Sequence, residues 1–155
     1  MQKPPNIDEV DRQILAILMK NSNTPYTDIA KAIHVSSGTV HVRMGKMEEA
    51  GIVVGAALIV DYSKLGYDVS AFLGIFLEKS SYYDEVAENL KKIPEVVEAY
   101  YTTGIYSIFT KVICRDTAHL KEVLHDKIQK INGIQRTETF ITLQESINRP
   151  IAVEL

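Results

Sequence analysis

At Gly51–Ile52 the hydrophobic period of this 155-residue chain changes, and no single layer of helices or strands accommodates both periods. Before the change, apolar residues recur at helical spacing, beginning with Ile7, Val10, Ile14, Ile17 and Leu18 on one face. After it, Val69, Ala71, Leu73, Ile75 and Leu77 alternate along a segment whose other side carries Phe72, Gly74 and Phe76. The expectation is a small all-helical unit followed by a mixed one.

Residues 1 to 51 predict three helices. Asn6 or Asp8 can cap the first, and Asn21-Ser22-Asn23 ends it. Thr24-Pro25 opens the second, with threonine as cap and proline in the first turn, and it runs to Ile33. After His34-Val35-Ser36, a third helix capped by Ser36 carries Val40, Met44 and Met47 until Gly51 stops it. Ile52 to Val60 is almost wholly apolar and reads as a strand that links two units and can form a wing.

The remainder predicts strands at 68–78, 96–102, 106–114 and 134–143, with helices from Tyr82 to Ile93, capped by Ser80 or Ser81, and from Thr117 to about 131. That order is the split-βαβ, ferredoxin-like βαββαβ arrangement, its second half repeating the first. The fold class is therefore α+β: a winged helix-turn-helix domain over 1–51, a linker strand and turn over 52–66, and a sandwich domain over 67–155. Right-handed crossovers put both helices on one sheet face. The other face keeps apolar and aromatic side chains, which a second copy of the chain covers most simply, so a homodimer is expected.

Composition narrows the class. With 46% hydrophobic and 24% charged residues the chain reads as a globular protein. Its longest apolar run, Gly51 to Val60, falls short of the roughly 20 residues a membrane span requires, and the first residues lack a signal-peptide pattern, so a cytoplasmic protein without membrane attachment is expected. Cys114, the only cysteine, excludes an internal disulfide. His119 and His125 lie six apart and share no helical face, and neither a metal-ligand spacing nor a nucleophile elbow is present; no metal, cofactor or catalytic residue is assigned. The net charge of -3 at first disfavours DNA, but the first 60 residues hold six Lys+Arg and six Asp+Glu, so the whole excess falls in the later part. A neutral DNA-binding unit must act through well-placed groups and several copies, and an isolated one is expected to bind poorly.

Two constellations carry chemistry. Ser37, Thr39, His41, Arg43 and Lys46 avoid the apolar stripe of the third helix and suit the major groove of double-stranded DNA, with the helix N-terminus available to a phosphate. The same pattern also suits a plain three-helix bundle with a solvated face. The run from Tyr100 through Thr102, Thr103, Gly104, Tyr106 and Ser107 gathers hydroxyls and exposed amides around one glycine, as a zwitterionic or amide-bearing ligand requires. Thr137 and Glu138 form a second polar group, in which Glu138 can meet an ammonium while the Gly104 turn meets a carboxylate. Tyrosine and threonine are also ordinary strand formers, and Gly104 can serve only to close a hairpin.

The stretches Asp8-Glu9-Val10-Asp11-Arg12-Gln13-Ile14-Leu15, Ser36 to Arg43 and Gly51-Ile52-Val53, with Leu65-Gly66-Tyr67-Asp68-Val69 and Tyr100 to Phe109, resemble the Lrp/AsnC (feast/famine) family of transcriptional regulators over essentially the whole chain. The resemblance implies dimers formed by pairing linker strands and sheets, four dimers in an octameric ring, and an amino acid bound between dimers at Thr102, Thr103, Gly104, Tyr106 and Ser107. Many relatives carry an acidic residue where Ser107 stands, a departure that points to the asparagine-responsive branch. Two other classes remain open: an amino-acid-sensing oligomer that controls a protein partner, and a small enzyme of amino-acid metabolism.

Overall fold

The computed structural model describes residues 6–152, so the first five and last three residues of the expected domains lie outside the described residues. Two compact units result, one of the residues up to Ile59 with those from Ile147 onward, the other Val60–Ser146.

The first unit holds α1 (Glu9–Leu18), α2 (Tyr26–Ala32) and α3 (Ser37–Glu49). Asp8 caps α1 in a reciprocal box: its carboxylate accepts from the Asp11 amide at 3.1 Å while Asp11 accepts from the Asp8 amide at 3.0 Å. Thr24 does not cap α2, because its hydroxyl donates to the Asn21 carbonyl at 2.8 Å and closes the preceding turn; Pro25 takes the cap position. Ile14, Ile29, Ala30, Val40, Met44 and Met47 form the core. Removal of apolar area at about 25 cal/mol per Å² makes this shared face, rather than the short helices' own propensity, the source of their stability.

Residues 52–60, expected as a linker strand, form no strand in the single copy described. They form no ladder with any other segment, and Val54, Leu58 and Ile59 are 93%, 88% and 95% exposed. A strand must satisfy its amides and carbonyls against a neighbour; the Ile52 and Val53 amides donate to the Met47 carbonyl at 2.9 and 3.2 Å, and the rest of the segment meets no backbone partner among the described residues.

The second unit holds β1 (Val69–Leu77), α4 (Tyr83–Leu90), β2 (Val96–Tyr101), β3 (Ile108–Cys114), α5 (Thr117–Glu122) and β4 (Ile134–Ile141). The sheet runs β2-β3-β1-β4, antiparallel throughout. Both helices pack on one face, over Ala71, Leu73, Ile75, Ile108 and Val112. Neither Ser80 nor Ser81 caps α4, since both lie in a 3-10 turn that leads into it. A π-helical stretch, Val123–Ile128, continues α5, and the Gln129 amide reaches Leu124 at 2.8 Å. No helix among the described residues is long and apolar enough to cross a membrane.

Candidate functional site

Two sites were expected, one in each unit. In the first, the turn between α2 and α3 depends on His34, whose φ of +58° is the left-handed conformation that most residues avoid. The Ser36 hydroxyl then accepts from the Thr39 amide at 3.0 Å, which leaves the Ser37 and Gly38 amides without an acceptor among the described residues. A helix start of this kind offers two donors and a positive dipole end to a phosphate.

The five expected DNA-facing residues do not share one environment. Ser37 and Lys46 are exposed. His41 is exposed but leans on the Tyr26 ring, with centroids 5.5 Å apart. Thr39 is half-buried, and its hydroxyl shares a 2.8 Å hydrogen bond with Ser36. Arg43 is tied to α1: its guanidinium donates to Asp8 and, at 3.2 Å, to Asp11, whose side chain is only 10% exposed. The hydrogen bond from Arg43 holds the Asp8 carboxyl below its ordinary range, and Asp8 in turn raises Arg43. Arg43 thus staples α3 to the capping box of α1.

At about 100° per residue, the direction opposite Val40, Met44 and Met47 is occupied by Val42 and Glu49, with Gly38, Gly45 and Lys46 beside them. Val42, which the sequence reading passed over, is 59% exposed. The signal was available as the angle farthest from the buried stripe, rather than as polarity.

In the second unit, β2 and β3 are joined by a wider turn than expected, 102–107. The Thr102 amide donates to the Ser107 carbonyl at 3.1 Å and its hydroxyl to the Tyr106 carbonyl, while the Ser107 amide anchors to Ile75 at 2.9 Å. The amides of Thr103, Gly104, Ile105 and Tyr106 meet no acceptor among the described residues. Unpartnered amides of this kind are available to an anion.

The Tyr106 ring lies across Gly74 on the open sheet face, where a Cβ on residue 74 would stand 2.3 Å from it. Its hydroxyl donates to Glu138 at 2.7 Å, and Arg136 holds the other Glu138 oxygen at 2.7 Å. The Tyr106 hydrogen bond, then that from Arg136, lower the Glu138 carboxyl, and Glu138 raises the Tyr106 phenol. Glu138 therefore stays ionised, with its charge paired to Arg136. Thr137 does not join it: Thr137 pairs with buried Ile75 and bonds Gln129 at 3.1 Å, whereas Glu138 pairs with Gly74, so the two point to opposite faces. Tyr100 is exposed and donates to Glu98 at 2.9 Å. Among the described residues no three His, Cys, Asp or Glu side chains stand together as a metal site.

Comparisons with known proteins bear on both sites. Residues 7–54 match a family described as winged helix-turn-helix DNA-binding, and residues 70–151 match the Lrp/AsnC ligand binding domain. The regulatory protein AsnC of Haemophilus influenzae is 51% identical over 146 residues, 94% of this chain and 97% of that one. The solved structure of Escherichia coli AsnC superposes with a TM-score of 0.90 at 50% identity, covering 95% of this chain and 99% of that one. A transcriptional regulator of Neisseria meningitidis, solved as a complex with L-Met, shares the fold at a TM-score of 0.88 and 20% identity, covering 93% and 94%.

Proposed function

The chain belongs to the Lrp/AsnC family and is a DNA-binding transcriptional regulator that responds to an amino acid, and from that premise we propose that asparagine is its effector, bound at the 102–107 turn. The carrying observation is the row of unpartnered amides at Thr103–Tyr106 beside Ser107. Those amides suit an α-carboxylate, and the Thr103 and Ser107 hydroxyls, which both donate and accept, suit a side-chain amide. An ammonium at Glu138 would share the carboxylate with Arg136 and Tyr106, which links effector occupancy to the open sheet face. Tyr100 and Thr102 border the same turn. Thr137, on the far face, contributes through its strand rather than by contact.

The assembly is proposed to be a homodimer at least, with dimers joining into the octamer that the family resemblance implies. The unpaired segment 52–60 and the open face of Phe72, Phe76, Phe109 and Phe140 support it, because each leaves unmet backbone or apolar surface that a second copy satisfies. On DNA, Ser37, Lys46 and the free amides of α3 hold phosphates, with His41 at the flank and Thr39 and Arg43 fixing the helix start and its tilt. The effector acts through unequal affinity for two assembly states, since equal binding shifts nothing. Calorimetry across the twenty amino acids tests the effector: heat with asparagine is expected, and heat with another amino acid but none with asparagine removes the assignment.

A further inference from the structure

We infer that Val42 is a specificity-determining residue of the DNA interface and reads the 5-methyl group of thymine in the major groove. The inference rests on the DNA-binding function of α3. Val42 is 59% exposed and, with Glu49, stands on the side of α3 opposite the buried Val40, Met44 and Met47. Two of its neighbours on that face, Gly38 and Gly45, carry no side chain, and the third, Lys46, is exposed. Glycine is the poorest helix former after proline, yet nothing inside the protein requires it here: a Cβ at Gly45 would meet no atom within 4 Å, and one at Gly38 only the Ser36 hydroxyl at an ordinary 3.7 Å. The bare surface around Val42 thus serves something outside the chain, and it lets the helix backbone approach closely enough for a short side chain to touch base edges.

The chemistry then selects the base. An isopropyl group makes no hydrogen bond, so it cannot read the donor and acceptor pattern of guanine, cytosine or adenine. The one apolar feature displayed in the major groove is the thymine methyl. Arg43, the neighbouring residue best suited to guanine, is engaged by Asp8 and Asp11, and Val42 is the large exposed apolar side chain of α3.

The test uses the full chain and a duplex that it selects from a randomised pool. Each thymine is replaced in turn by deoxyuridine, which removes only the methyl. Wild type should lose about fourfold in affinity at one thymine per half-site, the effect of one buried methyl. Val42→Ala should bind the parent duplex more weakly, show no penalty at that deoxyuridine, and melt at the wild-type temperature. An undiminished penalty in Val42→Ala, or no sensitive thymine in wild type, overturns the inference while leaving DNA binding intact. Failure of wild type to enrich any duplex overturns the DNA-binding function and this inference with it.

Discussion

Arg43 joins two helices of the first unit through a single side chain. Its guanidinium meets two carboxylates that themselves close the first turn of α1, so the site carries little positive charge toward solvent. Arg43→Ala is therefore expected to lower the melting temperature and to weaken DNA binding without the drop of about one unit in salt slope that loss of a phosphate contact gives; titration of binding against salt distinguishes the two. Acid should act at the same place. Asp8 binds its proton less tightly folded than unfolded, so its pairing stabilises the chain above about pH 3.9 and is lost as pH falls through the lower folded value. Glu95 behaves alike: burial raises it, but hydrogen bonds from Lys127 at 2.7 Å and His119 at 3.1 Å outweigh burial and lower it. Melting curves should thus be flat in pH near neutrality with respect to both carboxyls and decline below about pH 4.5. Thr110 is wholly buried and its hydroxyl has no partner among the described residues, so Thr110→Val is expected to stabilise by about 1 kcal/mol in a denaturant titration, the desolvation cost of an unsatisfied hydroxyl.

At the level of elements, the same physics decided what was legible. The three helices of the first unit were readable because buried positions repeat at 3.6 residues, and Val40, Met44 and Met47 are buried as that period requires. Period gives a face, however, and not a partner. Arg43 lies off the apolar stripe, as read, but its nearest charges come from a segment 32 to 35 residues earlier in sequence, which no local pattern reports. Thr137 and Glu138 fail for the opposite reason: a period of two already separates neighbours, and grouping them by polarity overrode it. The 52–60 segment has strand composition, but a strand is a property of two segments, and composition describes one. Helix α3 adds a test of its own. Gly45→Ala should raise stability by about 0.5–1 kcal/mol, because the helix gains propensity and the added Cβ meets nothing, yet weaken DNA binding. A melting temperature that falls would show that Gly45 serves the fold instead.

For the whole molecule, charge and assembly belong together. The first 60 residues carry equal numbers of acidic and basic side chains, so a single DNA-binding unit has little long-range attraction for DNA. Linked copies offset this by raising effective concentration, a gain of about 10² to 10⁴ when geometry permits. Ile59→Asp, which places a charge in the unpaired apolar segment, is expected to reduce the assembly seen by sedimentation and to weaken DNA binding by a comparable factor, while each unit keeps its own melting transition. On the proposed assignment the effector turn and α3 lie in separate units, so the amino-acid response is a property of the full chain rather than of either unit. The most direct measurement is therefore the affinity of the full chain for its selected duplex, in the absence of effector and with each of the twenty amino acids in turn. A shift in that affinity with asparagine, reciprocated by an equal shift in asparagine affinity when the duplex is bound, is the predicted result; an affinity that no amino acid changes would contradict it.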